Sequence, residues 1–510
     1  MRTFLSTTYL ITIFAILPVS KAFADVTTQN VWNGLRSFIT STGFELTATE
    51  TQNDGVLQLN NLFFSKSLHN KHFDQSLKFS LSFSSLRFTQ NDNGTVNILL
   101  PKEIKIHILG QSITKKGLDL EVNYSQKNPK ITVSGKSEEL FYNYTTDAGR
   151  LELGKLKING IDFSHFDLFA HADLNKLNLT SAAAKHISYD LIQTLTFDKI
   201  SYFAGMKMTD SLMNLSGEIF NFHMSNHIEL LLRSNGKKTA DLLTTGSSFD
   251  TNWKYGGKRF NFSSKEIEKN GRYMHEASVG TGKLKLNQKS LNLFLESTKT
   301  DLSLSHDDLP FPIALKLKKL STNISLPLAA NIKAEPFSVG IELSDFTMSE
   351  VLWSLFDKDR VLPRTPISAI LDAYGRTKIL MSDLKSVILN NLTAQGSFPI
   401  ELENLTLEKF YLSGASATVN SSGTFEFDSS DLLTSRGLLS PIGQLEIKVQ
   451  GGDTLLDRLI EINLIPKAQA IGIQMMLSIF AVPGDLDDEL KALLEFTEDG
   501  HILANGQRIR

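Results

Sequence analysis

The sequence of 510 residues predicts a mainly β (α+β) protein: a large antiparallel, curved or elongated sheet architecture with a few packing helices. Three observations predict it. Apolar and polar residues alternate over most of the chain, which is the period of a half-buried strand. Asn-Gly and Asp-Gly pairs stand between the alternating runs, where two-residue hairpin turns need positive φ. Helical spacing is confined to a few short stretches.

The elements follow in order. Val31, Leu35, Phe38 and Ile39 recur at helical spacing after a Thr27 or Thr28 cap, and Gly43 ends that helix. Phe44, Leu46 and Ala48 alternate up to Asp54-Gly55, and Val56 to Phe64 returns as the second arm of a hairpin. Leu77, Phe79, Leu81 and Phe83 alternate with Lys and Ser. Asn93-Gly94 leads into Val96 and Ile98, and Ile104, Ile106 and Ile108 follow. Leu151 to Ile158 runs to Asn159-Gly160, then come Leu174 to Leu179, Leu284, and Leu291 to Leu295. Ile313 to Leu317 and Leu320 to Leu326 continue, bounded by Pro310, Pro312 and Pro327. Ile341, Leu343 and Phe346 precede a helix for which Thr347 and Glu350 have capping-box spacing. Leu402–Leu412, Ala417–Phe427 and Leu445–Val449 read as late strands. Asp453 is placed to cap a helix over Leu455–Ile462, and Pro466 to open another up to Phe480. Turns at Asp499-Gly500 and Asn505-Gly506 punctuate the last strands.

The N-terminal segment carries a further expectation. Arg2 precedes a mainly apolar stretch from Phe4 to Val19, and Ala22-Phe23-Ala24 fits the small-x-small rule of signal peptidase. Residues 1–24 therefore read as a cleaved signal peptide, with Asp25 first in the mature chain and the protein outside the cytoplasm. The alternative is an uncut anchor, but the apolar core falls short of the roughly 20 residues a spanning helix needs. Residues 25–510 read as one large β-rich domain, with a soft boundary in the polar, aperiodic stretch 234–270.

Composition excludes several chemistries. There is no Cys, so disulfides, thiol catalysis and thiolate metal sites are absent. A formal charge of -3 gives no concentrated basic surface, so nucleic acid is not an expected partner. Lys316–Lys319 and Lys237-Lys238 read as solvated strand faces or turns. His223 and His227 lack the Glu of a zinc-protease motif, since Met224 follows the first His. His69 and His72 are the other close pair. Gly280-Thr281-Gly282-Lys283 has Leu284 where a phosphate loop needs Ser or Thr, and reads as a turn before a strand. Asp485, Asp487, Asp488 and Glu489 lack the ligand alternation of a calcium loop and read as a solvated turn. No catalytic residue, cofactor or metal site is expected. The most distinctive stretch is Trp353 with Asp357, Pro363 and Arg364: a short helix, then a proline-restricted turn, with Arg364 in reach of Asp357 or Asp359. It reads as a structural staple holding Trp353 on the sheet, or as an interaction motif.

Several stretches together resemble a known family. They are Val31-Trp32, Asn93-Gly94-Thr95-Val96 through Leu100-Pro101, Val133-Ser134-Gly135, Leu352-Trp353 to Leu362-Pro363-Arg364, Phe480 to Gly484, and Asp499-Gly500-His501 through Asn505-Gly506-Gln507-Arg508. The chain is similar on these residues to the alphaproteobacterial exported family called domain of unknown function 2125 (DUF2125). The resemblance implies a Gram-negative periplasmic location. That family has no established activity, so no catalytic residue is carried over.

Two functions then compete. The first is binding or carrying an apolar ligand such as lipid, because Phe is abundant, 33 in the chain, and many Phe, Leu and Ile sit on the inward phase while few helices are available to cover them. The second is a non-catalytic structural or interaction protein of the cell envelope with a filled core, its strand edges open to an envelope protein. An outer-membrane barrel fits less well with internal helices and a polar end at Arg510.

Overall fold

The computed structural model describes residues 26–70, 75–112, 117–185, 188–231, 247–266, 269–329, 333–379, 400–427 and 441–509. The signal segment with Ala22, Ala24 and Asp25 lies outside the described residues, as do His72, Lys237 and Lys238. The fold is mainly β, a large antiparallel sheet with four helices among the described residues. Two compact units divide it: residues 1–274, 285–288 and 306–308, and residues 275–284, 289–305 and 309–510. The polar stretch 234–270 belongs to the first unit, with 234–246 and 267–268 outside the described residues.

The first unit opens with α1 (Thr28–Ser41), whose Val31, Trp32, Phe38 and Ile39 are buried. Asn30 N donates to Thr27 Oγ1 at 3.1 Å and Thr27 N donates to Asn30 Oδ1 at 3.2 Å, a reciprocal cap on the exposed amides. A meander follows. β1 (Glu45–Asn53) and β2 (Val56–Asn70) form a hairpin, and β3 (Gln75–Gln90) extends it. β4 (Val96–Leu99) and β5 (Glu103–Ser112) share the next edge of β3. β6 (Leu118–Lys127) pairs with β5 and β7 (Lys130–Lys136) with β4, and both meet β8 (Glu139–Ile158). Past the short β9 (Ile161–Asp162) come β10 (Phe169–Lys185), β11 (Ser188–Met208) and β12 (Ser211–Leu231). β13 (Ser248–Tyr255) and β14 (Gly257–Glu266) lie end to end along β12.

This sheet curls round α1. Trp32 packs on Phe88 of β3 with ring centroids 6.3 Å apart, and Phe38 meets Tyr189 of β11 edge-on at 5.4 Å. Arg36 reaches Glu50 of β1 at 3.2 Å. At Gly34 a Cβ would stand 2.7 Å from Leu140 Cδ1 of β8, so any larger residue would push the Leu140 side chain aside. One helix thus touches strands far apart in the ladder. Around it Trp32, Leu57, Leu59, Leu62, Phe88 and Leu191 are almost fully buried, each contributing roughly 2 kcal/mol or more by leaving water.

The second unit is a meander of long strands. β15 (Asn270–Asn287) is divided between the units. β16 (Ser290–His306), β17 (Ile313–Pro327), β18 (Glu335–Met348), β19 (Ile367–Ile379), β20 (Ile400–Gly414), β21 (Ala417–Phe427) and β22 (Pro441–Gln450) pair in sequence. α2 (Glu350–Trp353) interrupts before β19, and α3 (Gly452–Glu461) and α4 (Lys467–Phe480) follow β22. After β23 (Val482–Pro483), β24 (Glu489–Phe496) pairs with β22, and β25 (Ile502–Ala504) and β26 (Gln507–Arg508) close the meander.

Several local expectations are corrected. Gly280–Lys283 is not a turn but lies inside β15. Thr347 is the penultimate residue of β18, so the expected capping box does not form. Ser349 is the N-cap of the one-turn α2 and makes no side-chain cap bond. Asp453 lies inside the first turn of α3, behind an N-cap at Gly451. The carboxylate of Asp488 supplies the cap instead, accepting from Asp453 N and Thr454 N, each at 3.0 Å.

The long strands share a device that simple alternation does not reveal. Asn61, Lys176, Asn221, Lys299 and Asp345 all hold φ between 49° and 52°, the left-handed region. At each the ladder skips a rung and the inward phase moves by one residue. Leu57 and Leu59 point inward before Asn61, Leu62 and Phe64 after it, and all four are buried. In β18, Ile341 and Leu343 give way to Phe346 and Met348 across Asp345.

Candidate functional site

The second unit presents one apolar face. Antiparallel neighbours directly opposite each other share a face. Following the register, Leu293, Ile324, Val339, Ala373, Leu407, Gly423, Leu445, Leu494 and Ala504 form a single row across nine strands. A neighbouring row runs through Ile341, Leu371 and Phe410. The bulges in β20 maintain the face: Leu402, Leu405, Leu407, Phe410 and Leu412 are opposite Thr377, Gly375, Ala373, Leu371 and Ala369, so Glu403 and Glu408 are the residues stepped over. The other face is polar and ion-paired. Lys319 lies 2.7 Å from Glu342, Arg376 lies 3.1 Å from Glu403, and Lys378 lies 3.3 Å from Glu401.

The apolar face is not sealed. Leu295, Leu320, Ile341, Phe410 and Leu412 are 37–42% exposed. Scattered exposed apolar residues are ordinary, whereas contiguous apolar surfaces are uncommon on proteins that act alone in water. At its β22–β24 end, Leu477 and Phe480 of α4 come over Ile447, Val449, Leu490 and Leu494, and these side chains border a pocket of about 330 Å³ lined only by apolar residues.

Residues expected to be solvated hold this end together. Glu489 is 5% exposed and accepts from Asp485 N at 2.8 Å and Leu486 N at 2.9 Å, with Lys448 at 3.4 Å. The two backbone amides hold its carboxyl below the usual range against the opposing effect of burial. Burial pushes the Asp488 carboxyl up, but its bonds from Thr454 and Asp453 outweigh this and lower it. Asp485 pairs with Lys491. The acidic cluster is thus a cap, a buried turn anchor and an ion pair. Asn505 Nδ2 donates to Phe480 O at 3.0 Å and Asn505 Oδ1 accepts from Leu493 N at 2.8 Å, tying the closing hairpin to α4.

The Trp353–Arg364 stretch forms a compact cluster. Asp357 is 1% exposed and accepts from Val361 N at 2.8 Å and Leu362 N at 2.9 Å. Arg364 pairs with Asp357 rather than Asp359, and also reaches Glu350 at 3.3 Å and Leu362 O at 2.8 Å. Its guanidinium lies 4.5 Å from the Trp353 ring centroid, a cation–π contact. Pro363 stands half-buried between Leu362 and Arg364. The adjoining pocket, bordered by Phe346, Trp353 and Arg364, is about 60 Å³, too small for an organic ligand. The geometry is that of a staple.

The remaining candidate clusters are internally satisfied. His227 Nε2 lies 2.7 Å from Asp190 Oδ1 on β11, and His223 is opposite Thr196 and Lys254. His107, Asp119 and Glu121 converge, but Lys155 Nζ already sits 2.6 Å from Asp119 and 3.9 Å from Glu121. Lys155 and then His107 hold the Asp119 carboxyl below its ordinary range. Lys316 and Lys318 pair with Asp301 and Asp345. No protein-family model matches the chain, and no curated protein matches it.

Proposed function

We propose that this is an exported periplasmic protein, of the family its motifs resemble, that binds an apolar ligand such as lipid in the cell envelope. The ligand lies on the apolar face of the second unit and no chemistry is performed on it. The observation that carries the reading is the apolar row across nine strands, with Leu295, Leu320, Ile341, Phe410 and Leu412 on the same face left 37–42% exposed. At about 4.8 Å per strand this row extends for roughly 40 Å, ample for an acyl chain.

Mass spectrometry of organic extracts from the natively purified protein tests the ligand. Near-stoichiometric phospholipid or another apolar molecule is expected, and Leu412→Asp, at an exposed point of the face, lowers the yield while circular dichroism stays the same. A clean extract from the wild-type protein sinks the ligand reading. It would turn attention to the second one, a structural protein with an envelope partner, which the helix-filled core of the first unit favours.

A further inference from the structure

The last long helix is dressed for a solvent other than water. From Ala468 to Gly484 there is no charged side chain. On α4, Ile471, Met475, Met476 and Ile479 are 47, 62, 59 and 55% exposed, with Leu464, Val482 and Leu486 exposed beside them. At about 100° per residue these helical positions fall on one broad face, while Ala470, Leu477 and Phe480 fall on another. The second face is partly committed, with Ala470 fully buried and Leu477 and Phe480 bordering the 330 Å³ pocket, while Ile473 between them is 38% exposed. The helix is therefore apolar on both sides and uncharged along its length beyond Lys467.

We infer that α4 is a membrane-docking helix, which lays its outward face into one leaflet of a phospholipid bilayer and opens the apolar sheet face to it. Three features fit a bilayer. Between Ala468 and Gly484 the only polar side chains are the uncharged Gln469, Gln474 and Ser478, so no charge has to be desolvated as the helix enters the interface. With 14 residues at about 1.5 Å each, α4 reaches about 21 Å, less than the roughly 30 Å of a bilayer core. It can lie within a leaflet but cannot cross one membrane alone. Finally, its inner side lines the pocket at the end of the apolar row, so acyl chains have a continuous apolar surface from bilayer to sheet. The flanking charges are of both signs, Glu461 and Lys467 on one side and Asp487 and Asp485, paired with Lys491, on the other. Docking is therefore hydrophobic and needs no anionic lipid. The direction of transfer rests on the ligand reading above; the docking itself does not.

Flotation of the purified protein with vesicles of phosphatidylcholine alone is the test. The wild type is expected to float with the vesicles, changing less than about twofold between about 0.1 and 0.5 M NaCl, since screening acts on charges. Met475→Glu/Met476→Glu, at positions already facing solvent, should lower the bound fraction by about tenfold or more, because carboxylates resist entering hydrocarbon. Its circular dichroism and melting should be unchanged. Leu412→Asp should float like the wild type while carrying less extracted lipid, so a failed ligand reading and failed docking give different results. Absence of flotation by the wild type, or equal flotation by the double variant, overturns the inference. So does a wild-type dimer in solution that the double variant abolishes without any flotation, because the helix would then be covered by a second copy.

Discussion

Asp357 shows how one side chain can hold a turn. It satisfies the buried amide of Leu362, the part-buried amide of Val361 and a guanidinium that also stacks on Trp353. Burial pushes its carboxyl up, but Arg364 and the two amides prevail and hold it below the ordinary range. Asp357→Ala leaves three donors without an acceptor and should cost about 3 kcal/mol, the lower end for breaking a buried pair because Arg364 keeps Glu350 and Leu362 O. Urea denaturation followed by tryptophan fluorescence reads this; a loss under about 1 kcal/mol would mean the staple is dispensable. The pH dependence has a definite sign. A carboxyl whose folded pKa is depressed stabilises fully above its unfolded value, near 4, and loses that contribution as pH falls through the folded value. Asp357, Asp488 and Glu489 all behave this way, so the second unit should lose stability below about pH 4, and Asp357→Asn should flatten that loss. The pairing itself was legible: Arg364 had two candidate partners in sequence. The amides of Val361 and Leu362 chose between them, and backbone amides leave no mark in a sequence.

At the scale of elements, strands and hairpins were legible because side-chain period and turn chemistry are local. The Asn505-Gly506 turn joins Ala504 to Gln507 with φ of 50° and 81°, as its residue types require. Capping was less legible, because the acceptor for α3 comes from Asp488, distant in sequence. The mid-strand phase changes also escaped a reading of alternation alone, since Lys176 and Lys299 are not residues that favour left-handed backbone. This yields a sharp comparison. Lys299→Val should lower stability by about 1–2 kcal/mol, since a β-branched residue resists positive φ, whereas Lys299→Gly should be near neutral. Equal urea midpoints for the two variants would show that the backbone there is not under this constraint. In the first unit Gly34→Val should drive α1 off Leu140 and cost about 2 kcal/mol or more, with red-shifted Trp32 emission as the readout.

For the whole molecule, the fold class was legible while the openness of the second unit's face was only suggested by the scarcity of helices. Sequence shows which residues share a face; it does not show what covers them. In the first unit α1 fills the face, as Trp32 on Phe88 and Phe38 on Tyr189 attest. In the second, Ile341, Phe410 and Leu412 remain partly exposed. The outward side of α4 was equally hidden, because its sequence shows an apolar helix but not which of its sides is covered, and Met475 and Met476 are exposed.

The row from Leu293 to Ala504 has a consequence for how such a protein changes over time. Each rung meets only its two neighbours, so a duplicated or deleted hairpin in the middle leaves every other rung intact. One hairpin more or less would lengthen or shorten the surface by about 10 Å without altering its chemistry. Size becomes a freely adjustable trait, and the apolar face keeps its character whatever its length.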